Sequence, residues 1–371
     1  MAASLGLNLE IAQKLVSQAF PDSLYTHVIR ISEISTKTSF GYSPRIRTFI
    51  IDLSSNASTT PTHTTFLTVS LSSVEDSIPV PYLPNSLAVF QSLVSLIRSQ
   101  TPIPLAPPIL DESLSLPEFP HAYILTPPER LQSSSIISLS SARKQNLLSS
   151  EQEVLVDLGL GQLLGQLHSK VQNDFYGRAV TEGVPKDPSY SWQETFTTLL
   201  ESVFVHFEGR PNAEITSIIS SLRPSLARAI AFYLFDDVEV PSLVWFTGSE
   251  DDIFIFKPLP SSNPKDPPTI AAFLPNLTHA IWGDPLLETF FLSSSTSSSN
   301  SAMMQGYVEG GGLPLLAFAR QKTKRLWYTV FLAFLTLIER AREEDDKTLW
   351  ALQMLKEAGI EPSMTNNSKS K

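Results

Sequence analysis

Polar and apolar residues alternate in three early segments of the chain, residues 26–35, 46–53 and 65–72. These segments are enriched in β-branched side chains and are bounded by clusters of Ser, Pro and Asn. Because successive side chains of a strand point to opposite faces, alternation at this period is typical of half-buried strands. The pattern predicts three antiparallel strands, to which residues 109–110 and 122–125 can add two more.

A helical spacing of apolar residues, three or four positions apart, covers residues 85–99. Pro84 precedes this segment and Thr101-Pro102-Ile103-Pro104 follows it, and proline is tolerated at the start of a helix but not in its interior. We therefore expect a single helix packed on the sheet. The same spacing predicts further helices over residues 9–19, 151–171, 192–207, 215–234, 314–340 and 347–356, with a break near Pro224.

Three polar segments lack such a pattern. We expect residues 133–141 to form a surface loop, residues 293–301 a mobile insertion and residues 363–371 a disordered tail, because they bury too little apolar surface to offset the entropy of ordering. Gly161 and Gly165 stand four residues apart inside a predicted helix. Since glycine lowers helix propensity, we interpret them as sites of close approach to another backbone rather than as ligand contacts.

Strands come first in the chain and helices follow, which is the order of an α+β protein. The pattern predicts an antiparallel sheet lobe with one packed helix over residues 1–125, a mainly helical lobe over residues 126–362, and the tail. A length of 371 residues and a hydrophobic fraction of 42% suit one large domain or two lobes that share a cleft.

Composition excludes several classes of function. A formal net charge of -10 without a basic stripe argues against nucleic acid or anionic membrane as a partner, since phosphate groups attract clustered Lys and Arg. The chain has no Cys, which excludes thiol chemistry and Cys-bearing zinc sites. The apolar run at residues 326–338 is shorter than the roughly 20 residues of a bilayer span. We expect a soluble cytoplasmic protein with an unknown protein or small-molecule partner.

Four short motifs along the chain resemble those of one known family. They are Pro102-Ile103-Pro104, Leu-Leu-Gly-Gln-Leu-His at 163–168, Pro-Ser-Leu-Val at 241–244 and Trp-Gly-Asp-Pro at 282–285. Their order is similar to that of the aminoglycoside phosphotransferase family, which has the two-lobe protein-kinase-like fold. The resemblance covers roughly residues 29–338 and is to degenerate members of fungal type.

This resemblance implies where the chemistry of phosphoryl transfer would lie: a Lys on ATP phosphates, an acid paired with that Lys, a catalytic carboxylate and two magnesium ligands. The strand at 66–71 has no base, the helix at 87–97 has no acid, and the phosphate-covering turn at 39–44 has one glycine, Gly41. The position of the catalytic carboxylate falls on Thr247, whose hydroxyl cannot accept a proton near neutral pH. No catalytic residue is therefore assigned, and Thr247 marks the degenerate base position.

The two magnesium ligands of the family fall on Asp252 and Asn276, with carboxylate and carboxamide interchanged. A weak cation site at these two residues is one expectation, since both offer oxygen ligands. The interpretation we favour for Asp251 and Asp252 is a solvated turn that enters a strand at 253–256.

Other candidate residues have simpler explanations. His168 follows an apolar helix face, so we expect a core histidine bonded to backbone, whereas His279 is a titratable group to test beside the expected cleft. Trp245 and Phe246 stand where small or charged residues would line the cleft floor, and they either form a partner surface or fill the cleft.

Two functions of different classes remain. The first is a pseudokinase that acts as a binding or scaffolding module and uses no cofactor. The alternative is an ATP-dependent small-molecule phosphotransferase, acting on alcohol or amine groups through a rearranged site, with Mg and ATP as its cofactors.

Overall fold

The structure is a computed structural model, and it describes residues 5–34, 38–55, 60–71, 84–106, 116–181, 183–210, 212–257, 268–274, 277–292, 298–315, 317–340 and 345–364. The chain divides into two compact units. The first, called the sheet unit, contains Met1–Asp76, Asn85–Val156 and Ser249–Thr278; the second, called the helical unit, contains Ser77–Pro84, Asp157–Gly248 and His279–Lys371. The lobe boundaries at residues 125 and 362 stay predictions.

The helices and strands are named in chain order. The strands are β1 (His27–Ile34), β2 (Ile46–Ser54), β3 (His63–Ser70), β4 (Ala122–Leu125), β5 (Ile136–Ser138), β6 (Gly177–Arg178), β7 (Ser242–Val244), β8 (Ile253–Phe256), β9 (Ile270–Phe273) and β10 (Ile281–Gly283). The helices are α1 (Leu9–Ala19), α2 (Leu87–Gln100), α3 (Leu139–Lys144), α4 (Ser150–Lys170), α5 (Trp192–Glu208), α6 (Ala213–Ala231), α7 (Ser298–Glu309), α8 (Ala319–Glu339) and α9 (Asp346–Met364).

The larger sheet of the sheet unit has the order β1-β2-β3-β4 and is antiparallel throughout. Its alternating sequence supplies two apolar faces. Phe49 and Ile51 of β2 pack in one cluster with α1, while Ile50 of β2 and Phe66 of β3 pack in another with Phe254 of β8. The three strands and the α+β class predicted from alternation are confirmed, as is the strand at 122–125.

Local hydrogen bonds determine where several helices begin. The side chains of Asn8, Ser86, Ser191 and Asn212 each accept a hydrogen bond from a backbone N–H in the first turn of α1, α2, α5 and α6 respectively. The first turn of a helix has N–H groups without helical partners, and a cap of this kind is worth about 1 kcal/mol. The predicted helices begin close to these residues for that reason.

The helical unit has an aromatic core and a small sheet of order β6-β10-β7. Phe196 of α5 contacts Tyr328 and Phe331 of α8, with ring centroids 4.8 and 5.7 Å apart. Phe235 adds a ring 4.8 Å from Phe196. This core holds α5 and α8 together through rings packed largely edge to face, an arrangement that aromatic quadrupoles favour.

Glycines bring α4 and α7 into direct backbone contact. A Cβ atom at Gly161 would overlap the carbonyl oxygen of Met303, and one at Gly306 would overlap the carbonyl oxygen of Leu158. Gly165 likewise leaves no room for a side chain beside the carbonyl oxygen of Tyr307. The prediction that Gly161 and Gly165 serve close packing is confirmed.

Three predictions about polar or proline-containing segments were wrong in whole or in part. Residues 133–141 do not form a plain loop but include a 3-10 turn, β5 and the start of α3, because β5 pairs with β8. Pro224 lies inside a continuous α6 rather than at a break, since helix packing offsets one lost hydrogen bond. Residues 298–301 of the expected mobile insertion begin α7, whereas residues 293–297 fall outside the described chain.

Two further predictions fall partly or wholly on residues outside the described chain. The strand at 109–110 is one of these. The tail was predicted from residue 363; α9 continues to Met364, and residues 365–371 are not described. Among the described helices, none is both long and apolar enough to cross a bilayer.

Candidate functional site

The segment that aligns with the family's catalytic loop, residues 241–248, is buried along its whole length. Within it, β7 pairs with β10, and the exposed fraction of Trp245, Phe246 and Thr247 is 5%, 0% and 0%. Phe246 stacks on Phe331 with ring centroids 5.6 Å apart. Trp245 and Phe246 therefore do not form a partner surface, and they fill space inside the helical unit.

A tight turn shapes this loop. Phe246 has a positive φ of 67°, and the N–H of Thr247 donates to the carbonyl of Trp245 at 2.9 Å, which defines a γ-turn. An aromatic residue in this region costs on the order of 1–3 kcal/mol and persists only where surrounding contacts impose it. Gly248 shows how close those contacts are, because a Cβ there would lie 2.6 Å from the ring of Trp245 and 2.8 Å from that of Phe290.

Thr247, the degenerate base position, cannot meet a substrate in this conformation. Its side-chain oxygen is buried and makes no hydrogen bond to any described residue. A general base must come within about 2.6–3.2 Å of the proton it removes, directly or through one water. Thr247 has neither the basicity nor the access for that role.

Glu288 holds the loop from the other side. Its Oε1 accepts the N–H of Trp245 at 2.6 Å and lies 3.3 Å from Nε2 of His168. The other ring nitrogen of His168 lies 3.0 Å from the hydroxyl of Tyr307. His168 is buried as expected, but it bonds to two side chains rather than to backbone. These contacts fasten α4, α7 and the loop to one fully buried carboxylate.

A second buried group centres on Asp284 of the Trp-Gly-Asp-Pro motif. Its Oδ2 accepts hydrogen bonds from Nζ of Lys324 and from the hydroxyl of Tyr328, both at 2.8 Å. Its Oδ1 accepts the N–H of Leu286 at 2.9 Å. Lys324 also contacts Asp237 at 2.8 Å. Every polar atom here is used to fix backbone and α8, so the arrangement is structural.

Arg325 adds a cation beside the same segment. Its Nη1 donates to the carbonyl oxygens of Leu286 and Glu288. Burial lowers the pKa of Arg325 to about 10, with the nearby charges of Glu288 and Asp284 opposing that change. The guanidinium therefore stays charged at neutral pH and secures residues 286–288 to α8.

His279 is not available to a ligand either. Its side chain is fully buried, and Nε2 lies 3.4 Å from Oε1 of Glu339. The sequence placed His279 beside the expected cleft as a group to test; its side chain is buried beside that carboxylate of α8.

The sheet unit contains a cavity of about 50 Å³. Its walls come from the sheet, α2 and the β8–β9 hairpin. The lining residues are Ile34, Gly41, Ile46, Thr48, Phe66, Thr68, Asn85, Leu87, Phe90, Ala106, Ile124, Thr126, Asp252, Phe273, Leu274 and Thr278. Among the described residues that line it, Asp252 is the sole ionisable group.

Asp252 lies in the wall of this cavity and is 1% exposed. Its Oδ2 accepts the N–H and the hydroxyl of Ser249 at 2.9 and 3.0 Å, which closes a capping box on the 3-10 turn at Glu250–Asp252. Burial raises the pKa of Asp252 to about 7. The expected solvated turn was therefore wrong for Asp252, because the hairpin carries its side chain inward.

The predicted cation site cannot be assembled from the described chain. Asn276 lies outside the described residues, so its pairing with Asp252 stays a prediction. Within the described part, no group of three or more His, Cys, Asp or Glu side chains could hold a metal ion. Magnesium favours several oxygen ligands, with carboxylates preferred, and a single capped carboxyl is a poor fit.

ATP is a poor fit to the cavity for a related reason. Phe66 and Thr68 of β3 line it, and the described lining contains no Lys, Arg or His. A triphosphate brings several negative charges that such sites offset with Lys and magnesium. The residues present do not supply that offset.

The helical-unit residues Glu288, Lys324, Arg325, Tyr307 and Tyr328 were missed by sequence reasoning. One signal could have found two of them. Lys324 and Arg325 immediately precede a long apolar run in α8, and charged residues on a core helix are buried only with partners. Nothing in the pattern identified which carboxylates those partners would be.

Comparison with known proteins gives a fold rather than a close relative. No protein-family model and no curated protein sequence matches the chain. Among solved structures, macrolide 2'-phosphotransferase from Brachybacterium faecium, as the apoenzyme, is 16% identical with a TM-score of 0.51, covering 93% of this chain and 98% of that one. A microcompartment-associated aminopropanol kinase is 9% identical with a TM-score of 0.52, covering 95% of each chain. The chain thus has the protein-kinase-like fold of small-molecule phosphotransferases.

Proposed function

We propose that this chain is a pseudokinase: a protein of phosphotransferase fold that binds a partner and transfers no phosphoryl group. One observation carries the proposal. The cavity of the sheet unit is lined by a single ionisable residue, the acid Asp252, with no cation among the described lining residues. Phosphoryl transfer depends on positioning the substrate and on offsetting the negative charge of the phosphates. An acid in the lining adds negative charge instead of offsetting it.

The buried loop supports the same conclusion independently. The resemblance puts the catalytic carboxylate at Thr247, which is 0% exposed. Loss of a general base costs about 10²–10⁴-fold in rate where general-base catalysis operates. Under this proposal, a chain without a Lys beside the phosphates and without a carboxylate at position 247 does not catalyse phosphoryl transfer.

The proposal includes a location and a set of partners. We place the protein in the cytoplasm, with a small molecule or a protein as its partner and with neither nucleic acid nor membrane among its ligands. ATP and magnesium are not cofactors under this proposal. They return under the alternative of an active kinase, which the fold of the aminopropanol kinase and the macrolide phosphotransferase favours by analogy alone.

A thermal-shift measurement with ATP and magnesium tests the proposal. A ligand that binds the native state raises its melting temperature by mass action, so we expect no rise with millimolar nucleotide and metal. An active phosphotransferase of the same fold, run beside it, must show the rise. A parallel assay with γ-phosphate-labelled ATP and a metabolite extract should yield no labelled product.

A labelled product would overturn the proposal if it disappears in the Asp252→Ala variant. Product that persists in the variant would come from a contaminating kinase, which repurification through a second affinity tag removes. A melting-temperature rise with ATP that needs magnesium and is lost in Asp252→Ala would also install the kinase alternative.

A further inference from the structure

The cavity of the sheet unit combines aromatic walls with one acid. Phe66, Phe90 and Phe273 line it, together with Asp252 and several aliphatic side chains. The faces of aromatic rings carry partial negative charge and attract cations within about 6 Å. The aromatic and acidic components of this lining therefore favour the same sign of ligand charge.

The acid retains free hydrogen-bonding capacity. Both hydrogen bonds that Asp252 accepts from described residues are made at Oδ2 by Ser249, so none of these residues donates to Oδ1. Asp252 is 1% exposed, and a buried carboxyl without full satisfaction is costly. A donor that entered the cavity would complete its hydrogen bonding.

Among the described residues, the charged groups beside Asp252 in the chain do not neutralise it. Asp251 adds a further acid, whose Oδ2 accepts the hydroxyl of Thr38 at 2.7 Å. Arg143 lies 2.8 Å from Glu250 and so forms an ion pair with that carboxylate. The 3-10 turn at Glu250–Asp252 thus presents more negative than positive charge beside the cavity.

We propose that this cavity binds a small organic ammonium ion, with its charge at Asp252 and its apolar part among the phenylalanine and isoleucine side chains. The proposal rests on the proposed function, since a cavity shaped for this ligand is not shaped for a triphosphate. The hydroxyls of Thr48, Thr68 and Thr126 line the same space and can accept the remaining ammonium protons.

Volume limits the size of the ligand. A cavity of about 50 Å³ has the room of roughly four water molecules at about 10–15 Å³ each. An ammonium with about four carbons matches that room. Binding is expected to be weak, because a ligand with so few non-hydrogen atoms makes few contacts to offset the entropy lost on association.

Three probes with the same four-carbon chain separate charge from apolar burial: butylammonium, 1-butanol and butyrate. Isoleucine methyl groups labelled with carbon-13 report both affinity and place, since Ile34, Ile46 and Ile124 line the cavity and Ile219 is buried in the helical unit. We expect the methyl resonances of the three cavity isoleucines to shift on titration with butylammonium, with an affinity at least tenfold higher than for butanol. Butyrate should cause no shift, and the resonance of Ile219 should stay unchanged with every probe.

Two variants assign the effect to one carboxyl. Asp252→Asn keeps an oxygen for the Ser249 cap but loses the charge, so butylammonium affinity should fall to that of butanol. Asp251→Asn removes an equal charge from a neighbour that is absent from the described lining, and it should change affinity less than twofold. Equal binding of butanol and butylammonium to the wild type, tighter binding of butyrate, or no shift with any probe would each overturn the proposal.

A second measurement needs no added ligand. Thr68→Lys delivers an ammonium into the cavity from β3, and Thr68→Met delivers an apolar chain of similar length. The Lys variant should melt about 3 °C or more above the Met variant, by the scaling between free energy and melting temperature, and the difference should vanish or reverse in the Asp252→Asn background. A Met variant as stable as the Lys variant in the wild-type background would contradict the proposal.

These outcomes separate the inference from the proposed function. Failure of butylammonium to bind, with nucleotide still leaving the melting temperature unchanged, removes the ammonium site and leaves the pseudokinase standing. If nucleotide binds and butylammonium does not compete with it, both the ammonium site and the pseudokinase proposal are wrong.

Discussion

Lys324 in the helical unit and Asp252 in the sheet unit are both buried charged residues, and their surroundings differ sharply. Lys324 lies 2.8 Å from each of two carboxylates, Asp237 and Asp284. Asp252 faces a cavity whose described lining offers it no cation. Burying a charge is tolerated when it is paired and hydrogen-bonded, and is costly otherwise. The charge of Lys324 therefore secures the helical unit, whereas Asp252, the single acid in the described lining of the cavity, lowers the stability of the sheet unit.

The paired side of this comparison predicts the largest effect. Lys324→Met removes the cation and leaves the carboxylate of Asp284 buried without that partner. Breaking a buried pair from one side costs about 3–5 kcal/mol, and urea denaturation should show a loss of unfolding free energy of that size.

Lys322 provides the control for this variant. It lies in the same helix but is exposed, and Lys322→Met should change the free energy of unfolding by no more than about 0.5 kcal/mol. If both variants lose equally little, the Lys324 pair does not hold α8 in the way described.

The lone acid predicts an effect of opposite sign that depends on pH. Burial raises the pKa of Asp252 to about 7 from an ordinary value of 3.8, so between those values the folded state binds the proton that the unfolded state has released. The unfolding free energy must then fall as pH rises through this window. Over the two pH units from pH 5 to pH 7 the contribution of Asp252 should fall by about 2.7 kcal/mol, at about 1.36 kcal/mol per pH unit, and it should level off above the folded pKa of about 7.

Asp252→Asn tests that sign. The variant should lack this part of the pH dependence and should be more stable than the wild type at pH 8, as measured by urea denaturation at pH 5, 6.5 and 8. Asp251→Asn, at a half-buried acid, should keep the wild-type slope. An unchanged slope in Asp252→Asn would assign the pH dependence to another group.

The contact between α4 and α7 predicts a smaller effect in the helical unit. Gly161→Ala inserts a Cβ that overlaps the carbonyl oxygen of Met303, and overpacking of this kind costs about 1–3 kcal/mol. Thermal and urea unfolding should both show the loss.

Gly159 is a matched control two residues earlier in the same helix. Apart from its chain neighbours and the nearby backbone of its own helix, no atom of the described chain lies within 4 Å of a Cβ built there, so Gly159→Ala should gain about 0.5–1 kcal/mol from helix propensity alone. A gain at both positions would show that α7 moves aside at little cost.

The sequence predicted the regular parts of the fold well, and the reasons are local. Strands β1 to β3 alternate and carry β-branched residues, and α5 begins at a capping serine, so each segment encodes its own conformation. The element β5 and the first turn of α7 are rich in serine. The structure of β5 comes from pairing with β8, a partner distant in sequence, and no local pattern reports such a partner.

The candidate site likewise has features that residue types predict and features that depend on tertiary packing. The absence of Lys from β3 and of a carboxylate at position 247 can be read directly from residue types. Whether a residue is buried depends on tertiary packing, so the sequence could not tell that Asp252 turns inward or that Thr247 and Phe246 are sealed. The partners of Lys324 lie 40 and 87 residues away in sequence, beyond the reach of any periodicity.

The contact of α4 with α7 has a consequence for how sequence change is tolerated. Main-chain atoms meet there, since a Cβ atom built at any of the glycines would overlap a carbonyl oxygen of the other segment. The information that brings the two helices together is held in side chains that are missing at Gly161, Gly165, Gly306 and Gly310. The close approach therefore tolerates no side chain at these four positions, whereas the His168–Tyr307 contact between the same two helices depends on the identity of both residues.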